Sequence, residues 1–443
     1  MKAAIFAKLL HSALIVASLT FFLLCIRLGF LTNDIYVKMV MPPLLAYLVV
    51  AIFRRLFFVS GALIDKLQSV RRQEDHQFDV RPMVSVLVPC FNEEQVLADS
   101  LRSLMQLKYP SFEIIVIDDG STDRTAVVAQ TVVQESPLVP IRVITKPNGG
   151  KASALNLGVQ NAIGDFVLCV DADSRIHPDS LEAGIVHFMD PKVGAVAGFV
   201  EVDNQDKWLG FFQEYEYLVG LNFLRRGLAI MGIVPVIPGP AGLFRRTALA
   251  SIKGYVEARD LMAEDAELSL RLVAAGWRIK SEEDLIAYTE APEDWSSLYR
   301  QRYRWNRGVF QAWRKNFLSL IDWGGWRGFV LSTQLFFEIY IVTVVNFGMM
   351  LMFCTHFIVR GDTALLTKWF VGILVMEAIT TALVTFRHPG YLKWLTIAMV
   401  GQFSYSPALM VWRVYNLFEE WINLSMSWDK IDRLGHLKSG GTT

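Results

Sequence analysis

Cysteine is scarce in this chain, and the scarcity narrows what the chain can be. Its 443 residues hold four cysteines, Cys25, Cys90, Cys169 and Cys354, with no Cys-x-x-Cys spacing among them. Such scattered cysteines imply neither a disulfide framework nor a zinc site, and they read as small buried hydrophobes. Net charge is missing as well, because 43 basic and 43 acidic side chains cancel to zero. Without a global field the chain does not collect nucleic acid, so an anionic partner must be held locally. Charged residues of both signs make up only 19% of the chain against 53% hydrophobic, and mean hydropathy is +0.35. Disorder requires the opposite balance. The composition describes a folded chain with much of its apolar surface facing lipid. At about 150 residues per domain its length allows two or three units.

What is plentiful is apolar sequence, and it brackets a less hydrophobic middle. Residues 9–26 are interrupted only by His11, and residues 39–53 run up to Arg54 and Arg55. Residues 329–359, with Glu338 as their only acid, are followed by the runs 369–386 and 394–412. A membrane span needs about 20 mostly apolar residues, and a snorkelling Arg or Lys completes a short one. Two helices before the middle and about three after it is the simplest count, which divides the chain into 1–60, 61–326 and 327–443. No A-x-A-like site follows Ile26 and a second apolar run follows at once, which argues against a cleaved signal peptide. Arg54, Arg55, Lys66, Arg71 and Arg72 follow the second run, and Arg387, His388 and Lys393 link the fourth to the fifth. By the positive-inside rule the middle, that link and the amino terminus face the cytosol. Pro407 and Arg413 leave open whether the last run crosses the membrane or lies in its plane.

The middle alternates short β-rich runs with helical patterns. Strands are expected at 84–88, 113–118, 141–145, 166–170 and 194–200. Between the first two, Asn92 reads as an N-cap, followed by Val96, Leu97, Leu101, Leu104 and Met105 at helical spacing. Such alternation predicts an α/β fold with a mostly parallel sheet covered by helices, and a ligand beyond the carboxyl ends of the strands.

Chemistry-bearing residues fall at those ends. The second strand runs into Asp118-Asp119-Gly120-Ser121-Thr122-Asp123, a tight turn that sets a carboxylate at the sheet's rim and that also suits an ordinary capped turn. The fourth runs into Asp171-Ala172-Asp173. Two carboxylates so close repel each other unless a cation lies between them, and Mg²⁺ is commonly held by one or two carboxylates plus substrate phosphates. Between these lies Asn148-Gly149-Gly150-Lys151, which leads into a helix and can present backbone N–H groups and an ammonium to phosphate, without matching the Walker spacing. Glu264-Asp265 opens a helical stretch that stops at Gly276, and acids in a first turn also suit the helix dipole. Gln301, Arg304 and Trp305 are related as i, i+3 and i+4 and share a helix face. That face suits a sugar or a diphosphate, or else a membrane-interface helix with a snorkelling Arg and a belt Trp.

In this order the elements resemble the processive family 2 glycosyltransferases, which include the synthases of cellulose, chitin, hyaluronan and poly-β-1,6-N-acetylglucosamine. The resemblance implies a GT-A (Rossmann-like) cytosolic domain flanked by transmembrane helices in the cell (inner) membrane. It also implies a UDP-sugar donor, a growing polysaccharide acceptor, and Mg²⁺ or Mn²⁺. Asp119 would contact the uracil, Lys151 the diphosphate, and Asp171 and Asp173 the nucleotide and metal. Asp265, beside Glu264, matches the acid of the T-E-D motif that acts as general base. Gln301 and Arg304 would line the donor site, and Trp305 the acceptor's terminal sugar. Residues 238–246, with Gly239 and Gly242, resemble the acceptor-side strand and turn. Two departures stand out: Ala263 replaces the Thr of T-E-D, and neither an F-x-V-T-x-K gating loop nor a PilZ-like domain is seen. The second points away from cellulose synthase, the first lends support to an inactive relative, and the short chain with two amino-terminal helices and a helical carboxy-terminal block is most similar to the poly-β-1,6-N-acetylglucosamine synthases, which work with a small membrane protein and export machinery. A non-processive transferase to a lipid acceptor and an inactive sugar-binding scaffold are the alternatives.

Overall fold

A computed structural model describes residues 33–75, 81–135, 139–205, 207–258, 261–361, 363–385 and 391–422, with the single positions 20, 23, 27 and 424. The strands are β1 Val84–Cys90, β2 Phe112–Asp118, β3 Ile141–Thr145, β4 Phe166–Cys169, β5 Ser174–Ile176, β6 Val193–Val202, β7 Gly242–Arg245 and β8 Arg278–Thr289. They form one sheet in the order β3-β2-β1-β4-β7-β6-β8-β5. β1 to β4 make a parallel block. β7 runs antiparallel to both β4 and β6, and β5 antiparallel to β8, so the sheet is mixed. The sequence hides β8 because Lys280, Glu282, Glu283 and Asp284 break its apolar pattern.

Side chains alternate across the sheet and are buried on both faces. Val84, Val86 and Val88 of β1 pack with Ile114 and Val116 of β2 on one face, while Leu87 packs with Ile115 and Ile117 on the other. Strands covered on both faces read as unbroken apolar runs, which is why these were legible. Helices Leu97–Leu104 and Ser180–Ile185 cover the first face, and Lys151–Asn161 and Glu264–Ala274 the second. Asn92 does not cap the first helix, which begins at Leu97. It is left-handed (φ 54°), and its Oδ1 accepts from Thr122 N at 2.8 Å, so it ties the turns after β1 and β2 together.

Around this domain lie long helices. Asn33–Asp75 is one 43-residue helix that contains the second apolar run and passes through residue 60 without a break. Among the described residues one helix, Gly325–Arg360, is long and apolar enough to cross a membrane, and it contains the third run. Thr363–Thr385 holds most of the fourth run, and the fifth is split between Tyr391–Gly401 and Tyr405–Trp421. The first run lies outside the described residues apart from positions 20 and 23, as do Cys25, Arg387 and His388. Arg54 pairs with Glu338, and Arg55 hydrogen-bonds Thr380, so the arginines ending the second run grip later helices. Cys90 and Cys169 are buried as expected, whereas Cys354 is exposed.

One further helical stretch joins the two parts. Trp208–Glu216 continues through a π-helical turn, Tyr217–Phe223, into Leu224–Ala229. It crosses Asn33–Asp75 at two glycines, since a β-carbon at Gly61 would lie 2.6 Å from the Gly227 carbonyl oxygen. Beside the crossing, Arg226 Nε donates to Asp65 at 3.0 Å and its Nη1 pairs with Glu283.

Candidate active site

The strand order reverses between β1 and β4, and the acidic groups gather at that switch point, beyond the carboxyl ends of the parallel strands. Asp119 follows β2, its backbone N–H donating to the Cys90 carbonyl at 2.9 Å. Its buried carboxylate receives Lys146 Nζ at 2.6 Å, Gly149 N at 3.0 Å and Gly150 N at 2.7 Å. It therefore shapes the loop that leads into Lys151–Asn161. Gly150 takes φ +87°, a left-handed value that glycine adopts without strain and that starts the helix at Lys151.

Lys151 is the centre of the cluster. Its Nζ lies 2.5 Å from Asp171 Oδ1 and 3.4 Å from Glu264 Oε1. Burial opposes the ammonium charge, but Asp171, Glu264 and Asp265 around it hold its pKa above the ordinary lysine range. The Asp171 carboxyl is raised, chiefly by burial, with Lys151 opposing the rise. Gly239 closes the third side, where a β-carbon would lie 2.9 Å from Lys151 Nζ and 3.2 Å from Asp171 Oδ2. Three other parts of the chain thus converge on one ammonium.

Asp265 sits in the first turn of Glu264–Ala274, and its Oδ1 accepts from Ala266 N at 2.7 Å. Burial and the neighbouring Glu264 push its carboxyl up to about 7. A carboxylate tuned to that range suits proton transfer near neutral pH. Ala263, at the Thr position of the T-E-D motif, packs against Gly308, where a β-carbon would come within 2.6 Å of the alanine methyl. That contact brings the helix Trp295–Asp322 close to the start of the Asp265 helix.

Gln301, Arg304 and Trp305 all lie on Trp295–Asp322. Gln301 is buried, Arg304 is partly buried, and Trp305 packs with Val200, Val202, Tyr217 and Ala291 beside the end of β6. Gln301 and Trp305 are held together by Arg302, which helical spacing does not single out because its position falls off the i, i+3, i+4 face. Arg302 donates to Gln301, reaches Glu216 at 2.6 Å and Tyr405 Oη at 3.2 Å, and lies 4.3 Å over the Trp305 ring. Only its neighbours' chemistry, a Glu and a Tyr from distant segments, reveals that role.

Gly242 opens β7 opposite Cys169, and a β-carbon there would strike the Phe244 ring at 2.7 Å. Asp173 is buried two residues beyond Asp171 and accepts from Ser174 Oγ at 3.1 Å. Two hard carboxylate donors at one strand end fit a divalent ion whose other ligands come from phosphate or water. Among the described residues no group of three or more His, Cys, Asp or Glu side chains is arranged to hold an ion by itself.

A mixed α/β sheet with acids and a lysine at the carboxyl ends of its parallel strands defines a GT-A-like fold. The solved mannosyltransferase PcManGT from Pyrobaculum calidifontis, in complex with GDP-Man and Mn²⁺, shares it with a TM-score of 0.54 and 20% identity over 84% of this chain and 99% of its own. The chain belongs to glycosyltransferase family 2, since residues 82–308 match the model of the glycosyltransferase like family 2. It is 31% identical over 274 residues to the poly-beta-1,6-N-acetyl-D-glucosamine synthase of Staphylococcus aureus, covering 60% of this chain and 66% of that one. Against the synthase of Staphylococcus epidermidis it is 34% identical over 268 residues, 60% of this chain and 63% of the relative. The matched region thus spans slightly less than two thirds of these relatives.

Proposed function

We propose that the chain is a membrane-embedded, inverting glycosyltransferase that polymerises a β-linked polysaccharide, poly-β-1,6-N-acetylglucosamine, from UDP-GlcNAc and couples synthesis to export. The observation that carries the reading is the convergence of Lys151, Asp171, Glu264 and Gly239 within contact distance, beside a carboxyl tuned for base chemistry. In this reading residues 61–326 form the cytosolic catalytic domain, and 1–60 and 327–443 carry the membrane helices. The identity to the staphylococcal synthases supports both sugar and linkage.

The chemistry derives from the residues. An acceptor hydroxyl attacks the anomeric carbon of the donor, the bond from that carbon to the UDP oxygen breaks, and Asp265 takes the hydroxyl proton. One in-line displacement converts an α-linked donor to a β-linkage. Negative charge builds on the departing diphosphate, and Lys151 would stabilise it. Asp171 and Asp173 would hold Mg²⁺ or Mn²⁺, which when bound neutralises further charge on the phosphates. Asp119 would meet the uracil, with its Gly149 and Gly150 contacts keeping the loop in register. Gln301 and Arg304 would line the donor, and Trp305 would offer its face to the acceptor. Lipid surrounds the flanking helices, and a small membrane protein and export machinery are the expected partners.

Purified protein with Mg²⁺ or Mn²⁺ and labelled UDP-GlcNAc should release UDP and build a high-mass product. A discrete small glycolipid as the sole product would replace polymerisation with single addition.

A further inference from the structure

One buried cation is left unused by the proposed reaction. Arg225 is the second residue of Leu224–Ala229, directly after the π-helical turn Tyr217–Phe223. It is only 8% exposed, and its Nη1 is sealed from solvent without a hydrogen-bond partner. Its neighbour Arg226 is fully engaged with Asp65 and Glu283, so the pair divides into a structural arginine and an unsatisfied one. Burial lowers the Arg225 guanidinium to about 10, with Asp265 and Tyr217 as the nearby groups that oppose the fall. Tyr217 in turn packs on Trp305 with ring centroids 6.0 Å apart.

The backbone holds Arg225 in this position. Asn222 Nδ2 donates to the Val200 carbonyl at 3.2 Å, and Glu214 accepts from Val202 N at 2.6 Å. These contacts pin the helical stretch along the end of β6. π-helical turns insert a residue, re-aim the side chains beyond them, and recur at functional sites. Arg225 therefore follows the turn that carries Tyr217, which packs on Trp305, and its charge interacts with those of Asp265 and Tyr217. A buried donor left unpaired in the free protein recovers its desolvation cost only when a ligand arrives.

We propose that Arg225 is an acceptor-binding residue whose guanidinium donates to oxygens of the acceptor's terminal sugar and holds the attacking hydroxyl at Asp265. The inference rests on the roles given above to Asp265 and Trp305. An uncharged sugar suits the site because its hydroxyl and acetamido oxygens accept from the rigid fork of N–H donors without adding a second charge.

The test uses the full chain with Arg225→Met and Arg225→Lys. A β-1,6-linked GlcNAc oligomer is titrated in the absence of donor, with tryptophan fluorescence reporting binding and UDP binding as the control. Arg225→Met should weaken oligomer binding roughly ten- to hundredfold. It should leave UDP affinity unchanged and the melting temperature unchanged or higher, because it removes an unpaired buried charge. Arg225→Lys should keep part of the affinity. Equal oligomer binding by wild type and Arg225→Met overturns the proposal, as does joint loss of oligomer and UDP affinity with a lowered melting temperature. A wild type that binds no oligomer overturns it too. Because no donor is present, a wild type that binds the oligomer in an Arg225-dependent way yet leaves UDP-GlcNAc intact supports the proposal and overturns only the donor assignment.

Discussion

Asp265 must be ionised to accept a proton, and its carboxyl is pushed up to about 7 by burial and by Glu264. Below that pH the base is protonated and idle, so kcat/KM should rise with pH through about 7 and then level off. A profile flat from pH 5 to 8, within the range of about 5 to 8 in which such groups are tuned, would remove Asp265 as the base. Asp265→Asn should lower kcat by roughly 10² to 10⁴ while UDP binding, measured by calorimetry, stays intact. Gly239 makes a separate prediction. A methyl group there meets Lys151 Nζ and Asp171, so Gly239→Ala should weaken UDP binding by about tenfold through local overpacking. An unchanged UDP affinity would show that the two side chains give way freely.

Between elements, the crossing of Asn33–Asp75 with Leu224–Ala229 decides whether the long helix and the catalytic domain move as one. Arg226→Ala removes the guanidinium from its buried pair with Asp65, which costs about 3–5 kcal/mol where the pair is fully desolvated. The melting temperature should fall by several degrees, and a wild-type value would mean that the helices are held elsewhere. Elements of this kind were only partly legible in the sequence. The apolar parallel strands could be read because both faces are buried, and the stop of Glu264–Ala274 could be read because Gly276 supplies the left-handed residue that ends it. β8 was hidden by its charged residues, and β7 only partly announced itself through residues 238–246. Arg302 and Arg225 could not be found by spacing at all. Their roles arise from Glu216, Tyr405, Asp265 and Tyr217, and the fold brings Glu216 and Tyr405 together across 189 positions. Asp119 was assigned to the uracil from its motif, and its grip on Gly149 and Gly150 emerges only from the loop geometry.

For the whole molecule, the initial absences take on a definite meaning. In the proposed reading a neutral chain holds its diphosphate through a local cluster around Lys151, so overall charge is irrelevant to it. The apolar excess goes into helices that are joined to one another through Arg54 and Arg55, and the long helix Asn33–Asp75 is joined to the α/β domain through Asp65 and Arg226. If this cluster and these helices make one polymerising machine, the product itself records it. Linkage analysis of the material made by the purified full chain from UDP-GlcNAc should therefore find a high-mass polymer of β-1,6-linked N-acetylglucosamine that is lost in Asp265→Asn. A polymer with another linkage, a single sugar added to lipid, or a product that survives Asp265→Asn would contradict it.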